Sequence, residues 1–274
     1  MITVLVCTMY SRVFDLDKKQ FPQDSRINYV VSCQGNLDLK LEAYKAQLEV
    51  VFGVGRSSFV FSEGVGLSKN RNNVLKNALK LCSKAEFLYI ADDDITLNID
   101  GLVDGYYFAK DNNLDVVTGK ISNYDGSDFK KSYRSAPFIH SNFSVASISS
   151  VEILISRNYL VKQNVYFDER FGLGTCLPSG EEYIFLTDLL KNKARLMFFN
   201  RFFCYHPEVT SGHDFYSNEN KIKAKGAMLK RVFGNKLSLI YILAFSVKKY
   251  STYSHVVSFP MFFLGMLKGY KSIN

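Results

Sequence analysis

Phe87-Leu88-Tyr89-Ile90-Ala91-Asp92-Asp93-Asp94-Ile95 is the stretch on which the reading of this chain turns. Its first five residues form a short apolar run that reads as a buried strand. The run stops at three adjacent carboxylates. Like charges side by side repel, and removing them from water is costly unless positive charge answers them. A divalent cation is the usual answer, because Mg²⁺ takes carboxylate oxygens and shares them with substrate phosphates. Ligands of open α/β sheets sit beyond the carboxyl ends of strands, where these acids fall. The triplet therefore predicts a metal site; the bland alternative is a solvated acidic turn.

Around this strand the chain alternates strand and helix. Ile2 to Cys7 and Ile27 to Ser32 read as strands, followed by a helix over Leu39 to Val51 and a short strand over Ser58 to Phe61. Gly64-Val65-Gly66 reads as a turn and Ser68 as the N-cap of a helix running through Leu81. Beyond the acids come a helix over Gly101 to Asp111 and a strand over Asp115 to Thr118. Ile121 to Ser144 reads as loop. Val151 to Ser156 is a strand, Arg157 to Gln163 a short helix, Glu181 to Lys191 a clearer helix and Arg195 to Cys204 a strand. Such alternation predicts an α/β fold with a mostly parallel central sheet flanked by helices.

Three further segments carry candidate chemistry. In Gly66-Leu67-Ser68-Lys69-Asn70-Arg71-Asn72 a glycine turn opens a helix whose first N–H groups suit an anion, with Arg71 one turn inside. In Gly180-Glu181-Glu182 two carboxylates start a helix, which is either dipole capping or the placement of a general base. In the run from Tyr205 to His213, His206 follows a strand and precedes Pro207, and in a chain with a carboxylate cluster it is an additional candidate metal ligand.

The five cysteines, at positions 7, 33, 82, 176 and 204, are scattered and odd in number. They give neither a disulfide framework nor a zinc site and fit a reducing cytoplasm. Met1 to Val6 lacks the basic start of a secretory leader, and no apolar run approaches the ~20 residues of a membrane span, so a soluble or peripheral protein is expected. The net charge is +8, and its distribution says more than its size: no Asp or Glu follows Glu219, while Lys and Arg recur through the tail. Within that tail Leu237 to Val247 and Val256 to Leu267 are apolar stretches, which read as buried or interfacial helices beside an anionic partner.

Taken in order, the first-strand segment Ile2-Thr3-Val4-Leu5-Val6-Cys7-Thr8, the turn-helix from Gly66 to Asn72, Asp92-Asp93-Asp94 and the Gly180-Glu181-Glu182 helix start resemble a bacterial glycosyltransferase of the GT-A fold, similar to family 2. The form of the acidic motif, with a later His, is similar to galactofuranosyltransferases and polysaccharide-synthesis enzymes. The resemblance covers roughly residues 1 to 215, with a nucleotide-sugar half to about 119 and an acceptor half from about 120. It leaves 216–274 as a basic, apolar helical segment that is expected to contact membrane or pack on the domain. It implies that Thr8, Gln34, Ser68, Arg71, Asp92 and Asp93 line the nucleotide-sugar site. By the same resemblance Asp94, Asp92 and His206 hold Mg²⁺ or Mn²⁺, and Glu182 or its neighbour Glu181 is the base. The reaction implied is inverting transfer from a nucleotide-sugar, UDP by family analogy, to a glycan acceptor. That acceptor would be carried on polyprenyl diphosphate at the inner face of the membrane, in O-antigen or capsule synthesis. Two departures stand out: Glu181-Glu182 replaces the family's common Glu-Asp, and Met9-Tyr10-Ser11-Arg12 replaces its usual Tyr-Asn pair.

Two other classes compete. A nucleotidyltransferase shares the sheet and the metal, but usually carries a glycine-rich phosphate loop after the first strand. Cys7 to Arg12 has no glycine. A nucleic-acid-binding protein would use the basic tail, but the sequence holds no recognisable nucleic-acid motif, and none is expected as partner.

Overall fold

A computed structural model describes residues 1–36, 40–207 and 214–273. The described chain forms two compact units. The first comprises Met1–Val65, Lys69–Tyr166 and Leu189–Glu208, and the second Gly66–Ser68, Phe167–Asp188 and Val209–Asn274. The segment 167–188, expected to belong with 1–215, thus groups with the tail.

The first unit is built on strands β1 (Ile2–Met9), β2 (Ile27–Gly35), β3 (Ser57–Glu63), β4 (Phe87–Asp92), β5 (Thr96–Leu97), β6 (Val116–Ser122), β7 (Phe138–Ile139), β8 (Ile153–Ser156) and β9 (Leu196–Tyr205). They join in one mixed sheet of order β3-β2-β1-β4-β8-β6-β9-β5, with β7 paired to β9. The long ladders β1–β2, β1–β4, β2–β3 and β6–β9 are parallel, and the antiparallel ones are short. The register Cys7↔Asp92 aligns the carboxyl end of β4 with that of β1. β1 and β4 are buried along nearly their whole length, which is why they read as continuous apolar runs rather than alternating ones.

Helices α1 (Leu41–Phe52), α2 (Leu67–Leu81), α3 (Ile99–Asp111), α4 (Arg157–Gln163) and α5 (Glu181–Lys191) alternate with the strands as expected. The tail adds α6 (Glu219–Lys248), α7 (Tyr250–Tyr253) and α8 (Phe259–Ser272). The reading of α1 from Leu39 begins outside the described residues, and so does the segment 208–213 that follows His206. The stretch 121–144 contains more order than its polar composition promised: β6 runs to Ser122, and β7 pairs antiparallel with β9.

Packing across α3, β6 and β9 depends on two absent side chains. A Cβ on Gly119 would lie 2.5 Å from Phe203 Cγ, and one on Gly105 would lie 2.7 Å from Phe203 Cζ. The Phe203 ring is fully buried and meets Tyr89 edge-on at 6.1 Å, so it has nowhere to retreat. We predict that Gly119→Ala lowers stability by about 1–3 kcal/mol through overpacking, read as a shifted denaturant midpoint. A midpoint equal to that of the unsubstituted chain would contradict this packing.

Candidate functional site

The acidic turn closes β4, and its three carboxylates go to three different places. Asp92 Oδ1 is 3.1 Å from Arg71 Nη2, which also donates to Ser150 Oγ at 2.7 Å. Ser150 Oγ in turn donates to Asp92 Oδ2 at 3.2 Å, closing a ring of three groups. Arg71 is 1% exposed, a buried guanidinium that needs an anion as much as the anion needs it.

Asp93 points inward. Its Oδ2 accepts from Thr8 Oγ1 at 2.6 Å, and its Oδ1 pairs with Arg12 Nη1 at 2.9 Å. Burial raises its carboxyl to a pKa of about 6, against the opposing pull of the Thr8 hydroxyl and Arg12. Thr8 and Gln34 are themselves buried at the ends of β1 and β2. Asn70 Nδ2 donates to the carbonyls of Thr8 and Ser32 at 3.1 and 3.2 Å, tying α2 to both strands.

Asp94 is the exposed member, with a side chain 42% accessible. Its Oδ1 lies 3.7 Å from His206 Nε2, and its Oδ2 lies 3.8 Å from Arg12 Nη2. His206 Nδ1 faces the carbonyl oxygen of Pro207 at 2.7 Å. A carbonyl can only accept, so Nδ1 carries a proton, and Nε2 is the ring nitrogen turned toward the Asp94 carboxylate.

With the ring neutral, Asp94 Oδ1 and His206 Nε2 at this spacing fit a divalent cation, whose bonds to such ligands are roughly 2.1 Å each. Asp94 and His206 would hold it. Asp92, expected as a third ligand, is held by Arg71 and Ser150 instead, and among the described residues no three His, Cys, Asp or Glu side chains converge on a metal position. The positive charge that the triplet requires is supplied within the chain by two arginines. Arg12, Ser150 and Asn70 escaped the sequence reading. Arg12 was visible only as a departure from the family's pattern, and Ser150 carried no local signal.

The second unit holds the remaining candidates. Ser68 is not the N-cap of α2: the helix begins at Leu67, and the Ser68 hydroxyl donates to the carbonyl of Phe171 at 2.6 Å. Gly172 leaves room beside it, since a Cβ there would lie 2.9 Å from Ser68 Oγ and 3.3 Å from Glu181 Cδ. The two glutamates at the start of α5 differ in access: Glu181 is buried, whereas Glu182 is partly exposed. Lys225 of α6 lies close enough to feel both. Burial lowers its ammonium pKa, and the Glu181 and Glu182 carboxylates oppose that shift. Arg231 ties α6 to the same segment through Asp168 at 3.0 Å and Asp188 at 2.6 Å, which is why 167–188 groups with the tail.

No family model matches the sequence, and no curated protein matches it. Solved structures do match. S. aureus TarS 1-349 in complex with UDP aligns over 95% of this chain and 74% of its own, with TM-score 0.62 and 18% identity. The same protein in complex with UDP-GlcNAc aligns over 93% and 74%, with TM-score 0.61 and 16% identity. The mannosyltransferase PcManGT from Pyrobaculum calidifontis, in complex with GDP-Man and Mn²⁺, aligns over 99% and 74%, with TM-score 0.57 and 13% identity. At these identities the likeness is one of fold, and the fold is GT-A.

The Arg71–Asp92 pair and the surface pair Arg201–Asp104, at 3.2 Å and more than half exposed on both sides, make a direct comparison. In double-mutant cycles with Met for Arg and Asn for Asp, we predict a coupling above about 1.5 kcal/mol for the buried pair and below about 0.5 kcal/mol for the surface pair. Equal couplings would remove the structural role assigned to Arg71.

Proposed function

We propose that this chain is an inverting, divalent-cation-dependent glycosyltransferase, moving a sugar from a nucleoside diphosphate sugar to a hydroxyl of a glycan acceptor. The observation that carries the proposal is the facing pair Asp94 Oδ1 and His206 Nε2, 3.7 Å apart at the end of β4 in a GT-A fold. The neighbours that hold UDP, UDP-GlcNAc or GDP-Man with Mn²⁺ support the donor class. We take a UDP-sugar as the first donor to test.

Each residue has a task in this reaction. Asp93, locked by Thr8 and Arg12, fixes the turn from which Asp94 projects. Asp92 keeps part of its carboxylate exposed and can accept from a ribose hydroxyl while Arg71 and Ser150 hold it. Asp94 and His206 would hold a divalent cation, which would supply Lewis-acid stabilisation of the charge on the departing diphosphate. Glu182, the more accessible of the two glutamates, takes the acceptor hydroxyl's proton. The acceptor oxygen bonds to the anomeric carbon as the bond to the diphosphate breaks, and the leaving group departs with the electron pair. One displacement inverts the centre, unlike the paired-carboxylate hydrolysis of a retaining glycosidase. The acid-free basic tail supports an anionic acceptor carrier such as a polyprenyl diphosphate, and with it a place in surface-polysaccharide assembly.

The test is release of nucleoside diphosphate from a panel of UDP- and GDP-sugars with glycan acceptors and Mn²⁺. Turnover of one donor is expected, and Glu182→Gln is expected to lower kcat by about 10²–10⁴ while nucleotide affinity holds. Pyrophosphate release from a nucleoside triphosphate and a sugar phosphate, without sugar transfer, would overturn the proposal in favour of a nucleotidyltransferase.

A further inference from the structure

Helix α6 breaks at Gly234, whose φ of 74° and ψ of −177° leave residues 235–248 as a separate helical segment. That segment carries apolar side chains toward solvent as well as inward, where Phe245 packs against Phe215 and Phe262. Its buried positions are Ser238, Ile242 and Ser246, four residues apart on one face. The two buried hydroxyls donate back to their own helix, Ser238 to the Gly234 carbonyl and Ser246 to the Ile242 carbonyl at 2.8 Å. The outward side carries Leu237, Leu239, Ile240, Leu243 and Val247, all 43–65% exposed. Single exposed apolar residues need no explanation, but a helix of about four turns with five exposed Leu, Ile and Val side chains does.

Charge frames this face. Lys236 precedes it, and Lys248 and Lys249 follow it; none of the three makes an ion pair among the described residues, and no acidic residue follows Glu219. At 1.5 Å per residue the segment is about 21 Å long, short of the ~30 Å hydrocarbon core of a bilayer. No helix among the described residues is long and apolar enough to cross a membrane. A helix of this kind lies in the plane of a surface.

We propose that the outward face of residues 235–248 is a docking surface for an anionic phospholipid bilayer. In it Leu237, Ile240, Leu243 and Val247 enter the acyl boundary, and Lys236, Lys248 and Lys249 meet the headgroups. Charge complementarity selects the bilayer over a second copy of this chain. A twofold interface on this face would bring Lys236, Lys248 and Lys249 of both copies together, and none of them is ion-paired among the described residues. The inference stands apart from the glycosyltransferase reading, because its test needs no turnover.

The experiment is co-sedimentation of the full chain with phosphatidylcholine vesicles, with and without phosphatidylglycerol. Binding only to the phosphatidylglycerol vesicles, weakened by added salt, is expected. The triple substitution Ile240→Ser, Leu243→Ser, Val247→Ser, all on exposed positions, should lower the affinity by about tenfold or more with unchanged circular dichroism. Lys248→Glu with Lys249→Glu should weaken binding and flatten its salt dependence. The proposal is overturned if the unsubstituted chain ignores both vesicle types or if the triple variant binds as well as it does. It is equally overturned if light scattering finds a dimer that the triple variant disperses, which would make this face a contact between copies.

Discussion

Three neighbouring carboxylates at the end of a buried strand can persist only if each has its own partner, and much of the first unit is arranged to supply them. Arg71 comes from α2, Ser150 from the 3-10 turn before β8, and Thr8 and Arg12 from β1 and the turn after it. Each contact reaches across at least twenty residues of sequence, so the acidic turn fixes where α2 begins and how the antiparallel strand β8 sits beside β4. Asn70 adds a polar tie between the start of α2 and two strand ends. The energetic logic is that of buried ion pairs: removing one member leaves the other as an uncompensated charge, so the set is maintained as a whole.

That division of labour leaves Asp94 the least committed of the three, with only the long contacts to Arg12 at 3.8 Å and His206 at 3.7 Å among the described residues. Two acids are held by short contacts from within the chain, and the third stands exposed beside the Nε2 of an imidazole. A site of this kind can collect a cation together with a ligand's phosphates without assembling a full protein cage, which is the usual habit of Mg²⁺ and its relatives. The tail follows the opposite principle. Where the acidic turn answers every buried charge, residues 235–248 expose Leu237, Leu239, Ile240, Leu243 and Val247, and their lysines have no ion pair among the described residues.

Much of this was legible in the sequence for identifiable reasons. Long parallel strands buried on both faces leave continuous apolar runs, so β1, β2 and β4 could be read from their first residues, though β2 runs on to Gly35, beyond the expected Ser32; α5 announced itself through its glycine and paired glutamates. The GT-A architecture followed from the order of the motifs. What escaped was whatever depended on distant pairing. Asp92 looked like a metal ligand because nothing local reveals that Arg71 and Ser150 hold it. Ser68 looked like a cap because the cap pattern is local, whereas its partner Phe171 lies about a hundred residues away. β7 is two residues long in a polar stretch and exists because β9 offers an edge. The exposed apolar face of α6 was present as an apolar run, but only burial shows which side is outside.

The most direct test of the central claim is calorimetric titration of UDP and GDP into the unsubstituted chain and into Asp94→Asn, each with Mn²⁺ and with a chelator. Binding of one nucleotide that requires Mn²⁺ and falls by more than about tenfold in Asp94→Asn is the predicted result. Affinity that is the same with and without Mn²⁺, or that Asp94→Asn leaves untouched, would contradict the account and return the acidic turn to a structural role alone.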